Sequence, residues 1–209
     1  MYYYLFIVIS ILVGYFLGSI NSAVIISRMF YREDIREKGS KNAGLTNMLR
    51  VYGIRAAVFT FLGDFCKGII SACVGYIMGD ILFACLAGGF AVLGHVFPAY
   101  FGFKGGKGVL TAFSVMLVIA PIPTLIAFSV FLIIVLITRY VSLGSVLAAL
   151  SIPIITYFLG NKLFSYSGFS PVFFLTLALA LLIIIKHHAN LGRLFTGKES
   201  KLSFGKKKE

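Results

Sequence analysis

VLTAFSVMLVIAPIPTLIAFSVFLIIVLIT, Val109–Thr138, is a run of 30 residues without a charge. As one helix it would extend about 45 Å, half as long again as the roughly 30 Å hydrocarbon core of a bilayer. Pro121 and Pro123 divide it, because proline removes an intrahelical hydrogen bond and clashes with the preceding turn. The run therefore reads as a short helix, a turn and a second helix. This division decides the topology. With it the chain crosses seven times. If the N-terminus is outside, every one of the 19 Lys and Arg residues except Lys67 and Lys162 then falls inside or in the inner loops. Without it, the basic C-terminal tail would lie opposite the basic Arg28–Arg55 connection, against the positive-inside tendency. The expected fold is an all-α polytopic membrane protein with seven transmembrane helices, the N-terminus outside and the C-terminus cytoplasmic.

Composition agrees with that reading. The 209 residues are 59% hydrophobic and 12% charged, with a net charge of +12, which suits a single integral membrane domain spanning residues 1–209. The cations are scattered among apolar spans, so no nucleic-acid partner is expected; membrane lipids are. Besides the divided run, the expected spans are Tyr2–Ser27, Ala56–Met78, Ile81–Tyr100, Tyr140–Gly160 and Leu163–Ile185. The first lacks a positive n-region and a cleavage site and reads as a retained helix. Within it Gly14 and Gly18 make a small-xxx-small pair suited to helix packing. Cys66, Cys73 and Cys85 form no Cys-x-x-Cys pair and read as small packing residues. Asp64 and Lys67 stand i, i+3 inside a span, where ionisable groups face the bundle interior or a polar cavity.

Seven crossings bring three polar segments, 28–55, 94–111 and 186–199, to one face. Orientation alone accounts for their positive charge, but not for their glycines, amides and hydroxyls. In the second segment Gly105, Gly106 and Gly108 interleave with Lys104 and Lys107. Glycine lets backbone N–H groups crowd an anion, lysine adds mobile charge, and a helix beginning at Val109 would add its positive end. The pattern is not an ATP-binding P-loop, because Gly108 rather than Ser or Thr follows Lys107. Three histidines, two of them adjacent, and no Cys–His cluster give no basis for a metal, and no cofactor is expected.

Taken together and in order, the three segments resemble the bacterial acyl-phosphate:glycerol-3-phosphate acyltransferase (PlsY) family, nearly end to end. Gly18-Ser-Ile-Asn-Ser22, Asp34-Ile-Arg-x-x-Gly-Ser-x-Asn-x-Gly-x-Thr-Asn47 and Arg50 resemble its first motif. Gly94-His-x-Phe-Pro98, Phe103-Lys-Gly-Gly-Lys-Gly108 and Thr111 resemble the second. His187-x-x-Asn190 with Arg193, Gly197 and Glu199 resembles the third, with His188 and Ala189 departing from it. The resemblance implies a multi-pass enzyme of the bacterial cytoplasmic (inner) membrane, its active site on the cytoplasmic side. Such an enzyme transfers a fatty acyl group from acyl phosphate to the sn-1 hydroxyl of glycerol 3-phosphate, giving lysophosphatidic acid for phospholipid biosynthesis. It implies catalytic roles for Ser40, Arg50, His187 and Asn190. It implies substrate binding by Gly39, Asn42, Thr46, Asn47, His95, Lys104, Gly105, Gly106, Lys107, Gly108, Thr111 and Arg193, and a structural role for Glu199.

Two further readings bear on the chemistry. His187 has the side chain whose ordinary pKa suits a general base, although a donor phosphate oxygen can take the same proton. No histidine is followed by an aspartate at the fifth position: Tyr100, Gly192 and Arg193 stand five residues after His95, His187 and His188. The chain thus lacks the His-x-x-x-x-Asp pair common in thioester-dependent glycerolipid acyltransferases. A transporter for phosphorylated small molecules would also use a basic cavity and the Asp64–Lys67 pair, but no inverted repeat is evident. A scaffold would leave the glycine–lysine loop unexplained.

Overall fold

The computed structural model of the chain describes residues 2–163 and 170–202, with only the backbone described for 160–163. The expectations for the Lys162 side chain and for Lys206, Lys207 and Lys208 lie outside these residues. The described chain folds into ten α-helices and two 3-10 turns: α1 Tyr2–Ser19, α2 Ser22–Tyr31, α3 Leu45–Tyr52, α4 Ile54–Met78, α5 Ile81–Val96, α6 Val109–Ile119, α7 Pro121–Thr138, α8 Val141–Leu163, α9 Pro171–Lys186 and α10 His188–Phe195.

Five segments are long and apolar enough to cross a bilayer: Tyr2–Tyr31, Ile54–Met78, Ile81–Phe101, Pro121–Thr138 and Val141–Leu159. A sixth is reached if α9 and α10, bent by 56°, count as one broken span. The count falls short of seven because α6, with 11 residues, rises only about 16 Å. The expected division of Val109–Thr138 is present. Ala120 alone separates the two helices, Pro121 opens α7, and the Thr124 hydroxyl donates to the Ala120 carbonyl at 2.7 Å.

Two span boundaries differ from expectation. Tyr2–Ser27 is not one helix, because the chain breaks at Ile20 and restarts with Asn21 as the cap of α2, its side chain accepting from Val24 N at 3.0 Å. The Ile20 carbonyl freed by the break accepts from the Lys67 ammonium at 2.8 Å. This partner is needed, since backbone groups within a bilayer must be satisfied by protein or trapped water. Leu163 does not start the last span but ends α8; α9 begins at Pro171, capped by Ser170, which accepts from Phe173 N at 3.3 Å.

Close approach of α1 and α5 sets the frame. Any Cβ at Gly14 would collide with the Ala87 carbonyl, at Gly18 with that of Ala91, and at Gly94 with that of Tyr15. The small-xxx-small pair therefore packs helices, as its spacing suggested. α6 lies at the centre of the larger core, where Ala112, Val115, Met116 and Ile119 meet Cys85, Val92 and Val96 of α5 and Leu179, Ala180 and Ile183 of α9. A smaller cluster of Val24, Ile26, Ile35, Ala43, Met48 and Ala56 fastens the first polar segment onto α2 and α4. Cys85 is a buried packing residue as read, whereas Cys66 and Cys73 point outward from α4.

The α1–α5 contact predicts that Gly18→Leu, overpacking a site with no room, destabilises the fold by about 1–3 kcal/mol. Phe16→Ala, on a side chain 45% exposed, changes little. Thermal loss of monodisperse protein in detergent, compared across the two variants, checks both expectations.

Candidate active site

Segment 28–55 is organised around two side chains. Asp34 pairs with Arg36 at 2.8 Å and with Arg28 at 2.9 Å. The hydrogen bonds from Arg36 outweigh burial and hold its carboxyl well below the usual carboxylate range. The Arg36 guanidinium then reaches across to donate to the carbonyls of Phe101 at 2.6 Å and Lys104 at 3.1 Å, tying this segment to the glycine loop. Asn47, fully buried, accepts from Ser40 N at 2.9 Å and donates its amide to the carbonyls of Ile35, Lys38 and Asn42. Its polar atoms are bonded to backbone, so it shapes the loop that presents Ser40 and Asn42. Gly39, at φ +54°, leaves the room that the Asn47 amide needs.

The glycine loop is built differently from its expected form. Gly105 N donates to the Val96 carbonyl at 3.2 Å and Gly106 N to the His95 carbonyl at 3.1 Å. Both N–H groups are thereby withdrawn from any anion. A Cβ at Gly105 would strike the His95 carbonyl, and one at Gly106 the His95 ring. These two glycines allow the loop to fold tightly over the end of α5. Gly108, at φ +82°, is the N-cap of α6, where no side chain caps the helix. Lys104 is exposed and Thr111 fully buried with its hydroxyl unpartnered. Neither Lys104, Gly105, Gly106 nor Thr111 lines the cavity described below.

His95 is 4% exposed. Its Nδ1 lies 2.9 Å from the Lys67 ammonium, which also pairs with Asp64 at 2.8 Å. An ammonium has no lone pair, so Nδ1 accepts and the hydrogen of the neutral ring sits on Nε2, facing Gly106. The i, i+3 spacing shows Asp64 beside Lys67; nothing in the sequence joins them to His95.

The third segment is a network centred on Glu199, whose carboxylate accepts from Ser142 at 2.8 Å, Asn190 at 2.6 Å and Arg193 at 2.8 Å. Burial alone would raise the Glu199 carboxyl, but these donors outweigh it and hold it below its ordinary value. The Asn190 carbonyl oxygen accepts from the Lys107 ammonium, joining this network to the glycine loop. Ser142 was missed in the sequence, where a serine at the start of a span carries no signal. The His187 ring donates from Nδ1 to the Ile183 carbonyl at 2.8 Å, since a carbonyl can only accept, which leaves Nε2 for other partners. His188 is exposed.

One cavity of about 1800 Å³ collects Gly39, Ser40, Asn42, Thr46, Asn47, Arg50, His95, Lys107, Gly108, His187, Asn190, Arg193 and Glu199. It exceeds the roughly 300–1,000 Å³ of common small-molecule pockets. It continues between α6, α7, α8 and α9 as an apolar trough walled by Met116, Ala127, Phe128, Ile152 and Leu179. Two helix starts open into it, α3 at Gly44–Thr46 and α6 at Gly108–Leu110, and neither has a side-chain cap. Unfilled N–H groups and the positive helix ends suit each to an anion. Among the described residues no three His, Cys, Asp or Glu side chains converge as a metal site.

A helical bundle with spans of this length and a cationic cavity opening into an apolar trough defines a multi-pass membrane protein whose cavity has the shape and charge to suit an amphiphilic anion. Residues 8–197 match the family model described as glycerol-3-phosphate acyltransferase. A relative named glycerol-3-phosphate acyltransferase, from Finegoldia magna, is 44% identical over 95% of this chain and 98% of its own. The crystal structure of PlsY (YgiH), an integral membrane glycerol 3-phosphate acyltransferase, in its glycerol 3-phosphate form superposes with a TM-score of 0.86 at 36% identity, covering 94% of this chain and 96% of that one. Its lysophosphatidic acid form gives 0.81 at 35%, covering 95% and 96%. The chain belongs to the glycerol-3-phosphate acyltransferase family.

Burial, with the nearby charges of Arg193 and Arg50, lowers the Lys107 ammonium to about 8 against the opposing effect of Glu199. A phosphate in the cavity binds the charged form. Affinity for inorganic phosphate is therefore expected to fall as pH rises through about 8, by up to about tenfold per pH unit, the limit for one coupled proton. Lys107→Arg, which stays charged, flattens the dependence. Isothermal titration between pH 7 and 9.5 measures both.

Proposed function

We propose that this protein transfers a fatty acyl group from acyl phosphate to the sn-1 hydroxyl of glycerol 3-phosphate, releasing lysophosphatidic acid and phosphate. The observation that carries the reading is the pair of uncapped helix starts, at Gly44 and Gly108, sharing one cavity with Arg50, Lys107 and Arg193. A reaction between two phosphate-bearing substrates requires two anion sites close together, with enough positive charge to offset their repulsion. The apolar trough suits the acyl chain. The glycerol 3-phosphate and lysophosphatidic acid forms of PlsY, which correspond to the acceptor and the product of this reaction, support the same assignment.

Acyl phosphate is a mixed anhydride with a good leaving group, so the enzyme's work is orientation and charge stabilisation. The sn-1 oxygen attacks the acyl carbon, the bond from that carbon to the phosphate oxygen breaks, and phosphate leaves with the electron pair. The hydroxyl proton passes to a phosphate oxygen of the donor. Ser40 and Asn42 orient the glycerol backbone. Arg50 and Lys107 neutralise the phosphates, and His187 and Asn190 hold the acceptor in line. Glu199 keeps Asn190 and Arg193 in place. We assign the short α6 as the seventh membrane helix, which puts the three polar segments on the cytoplasmic side of the inner membrane and the N-terminus outside.

Purified protein with glycerol 3-phosphate and palmitoyl phosphate is expected to form lysophosphatidic acid with no added metal or thioester, whereas palmitoyl-CoA is not used. Product from palmitoyl-CoA at an equal or greater rate, with conversion to acyl phosphate excluded, overturns the donor assignment. His187→Asn is expected to lower turnover while the ascending limb of the pH–rate profile persists. Disappearance of that limb in the folded variant assigns the proton to His187 instead.

A further inference from the structure

α9 has two working faces. Thr176, Leu179, Ala180 and Ile183 look into the catalytic cavity. The opposite face forms, with α5, a second groove of about 820 Å³ lined by Leu82, Leu86, Gly89, Leu93, Leu175 and Leu182 among others. Only apolar side chains and glycine border it, and Leu179 lines both spaces. Along α5 the groove runs from Leu82 to Leu93, about 16 Å, and along α9 from Pro171 to Ile185, about 21 Å. The groove thus follows nearly the whole of α5 and α9, long enough to seat an acyl chain, whose share of a roughly 30 Å core is about 15 Å.

The end of the groove nearest the polar segments is not apolar. Lys186, the last residue of α9, stands four residues beyond Leu182 and next to Ile185, both of which line the groove, and Phe97 follows directly on the end of α5. There the Lys186 ammonium lies 4.8 Å from the centre of the Phe97 ring. Among the described residues it pairs with no carboxylate; the acidic groups engage Arg28, Arg36, Lys38, Lys67, His95 and Arg193. The groove is thus a long apolar slot with the Lys186 cation near one end, held in place over an aromatic ring.

We infer that the α5–α9 groove binds one anionic phospholipid of the surrounding bilayer, its phosphate on Lys186 and an acyl chain along Leu93, Gly89 and Leu86. Zwitterionic lipids fill the slot less well because their headgroup offers the ammonium no net negative charge. Gly89 borders the slot beside Leu175, and a Cβ there would stand 3.0 Å from Leu175 Cδ1, so a side chain at this position projects into the slot. A chain lodged in the slot presses on Leu179 and supports α9 from the side opposite the catalytic cavity.

Native mass spectrometry of protein released from nanodiscs containing equal phosphatidylglycerol and phosphatidylcholine tests this without recourse to turnover. One phosphatidylglycerol is expected to stay bound after annular lipid is stripped, in preference to phosphatidylcholine. Lys186→Gln should lower its occupancy relative to phosphatidylcholine about fivefold, the effect of one basic residue at an anionic surface. Gly89→Leu, which fills the slot and leaves Lys186 in place, should displace both lipids. Equal retention of the two lipids, retention unchanged by either variant, or cross-linking of Gly89→Cys to a second copy of the chain in a background without the native cysteines would overturn the proposal.

Discussion

A buried ammonium governs this fold. Lys67 has three hydrogens and meets three acceptors: the Asp64 carboxylate, the Ile20 carbonyl and His95 Nδ1, at 2.8, 2.8 and 2.9 Å. Those acceptors belong to α4, to the end of α1 and to the end of α5. Leaving a charge unpaired at such a depth costs several kcal/mol, so α4 and the ends of α1 and α5 have one favourable arrangement. Asp64 also accepts from Ser22 N at 3.4 Å, which gives the restart of the broken first helix a partner on the same carboxylate. The glycine contacts between α1 and α5 bring the break to the depth at which Lys67 can reach it. His95, fixed from one side by Lys67, supplies the surface on which Gly105 and Gly106 fold.

From that junction the three polar segments are linked to one another by charge. Arg36 holds the carbonyls of Phe101 and Lys104, and Lys107 holds Asn190, which Glu199 holds in turn. Each link uses one ionic group against backbone or amide. The cations lining the cavity are therefore only partly neutralised by protein, and Arg50 and Lys107 keep charge for a ligand. Glu199 is the carboxylate bonded into this cluster, and its bonds to Ser142, Asn190 and Arg193 direct it at the framework rather than at a bound phosphate, which it would repel.

Much of this was legible in the sequence. The spans follow from runs of apolar residues, and the α6–α7 division follows from Pro121 and Pro123. The cavity residues Ser40, Arg50, Lys107, His187 and Asn190 stand in the three segments where glycine, amide and cation concentrate. Other features were not legible, for reasons that share a cause. The break at Ile20 lies in a charge-free stretch, and its carbonyl is met by a lysine 47 residues away. Gly105 and Gly106 look like anion binders until their N–H groups are seen bonded to Val96 and His95. Asn47 looks like a ligand-binding amide until four backbone groups are found around it. In each case residue type restricted what the group could do, and a partner distant in the chain or hidden in a turn decided which of those things it does.

The shortness of α6 has a consequence for the medium in which the site works. α7 has 18 residues to the 11 of α6, a difference of about 10 Å in rise. A site set at the start of the shorter helix is recessed by about that distance, which is longer than the roughly 8 Å Debye length at physiological ionic strength. Mobile salt ions reach the mouth of such a recess far more readily than its floor. The field of the α6 terminus and of Lys107 is then screened less than that of the exposed arginines and lysines around the rim. For an anionic ligand, the pull of the rim is expected to track ionic strength, while the hold of the floor is expected to vary less as the salt of the surroundings changes.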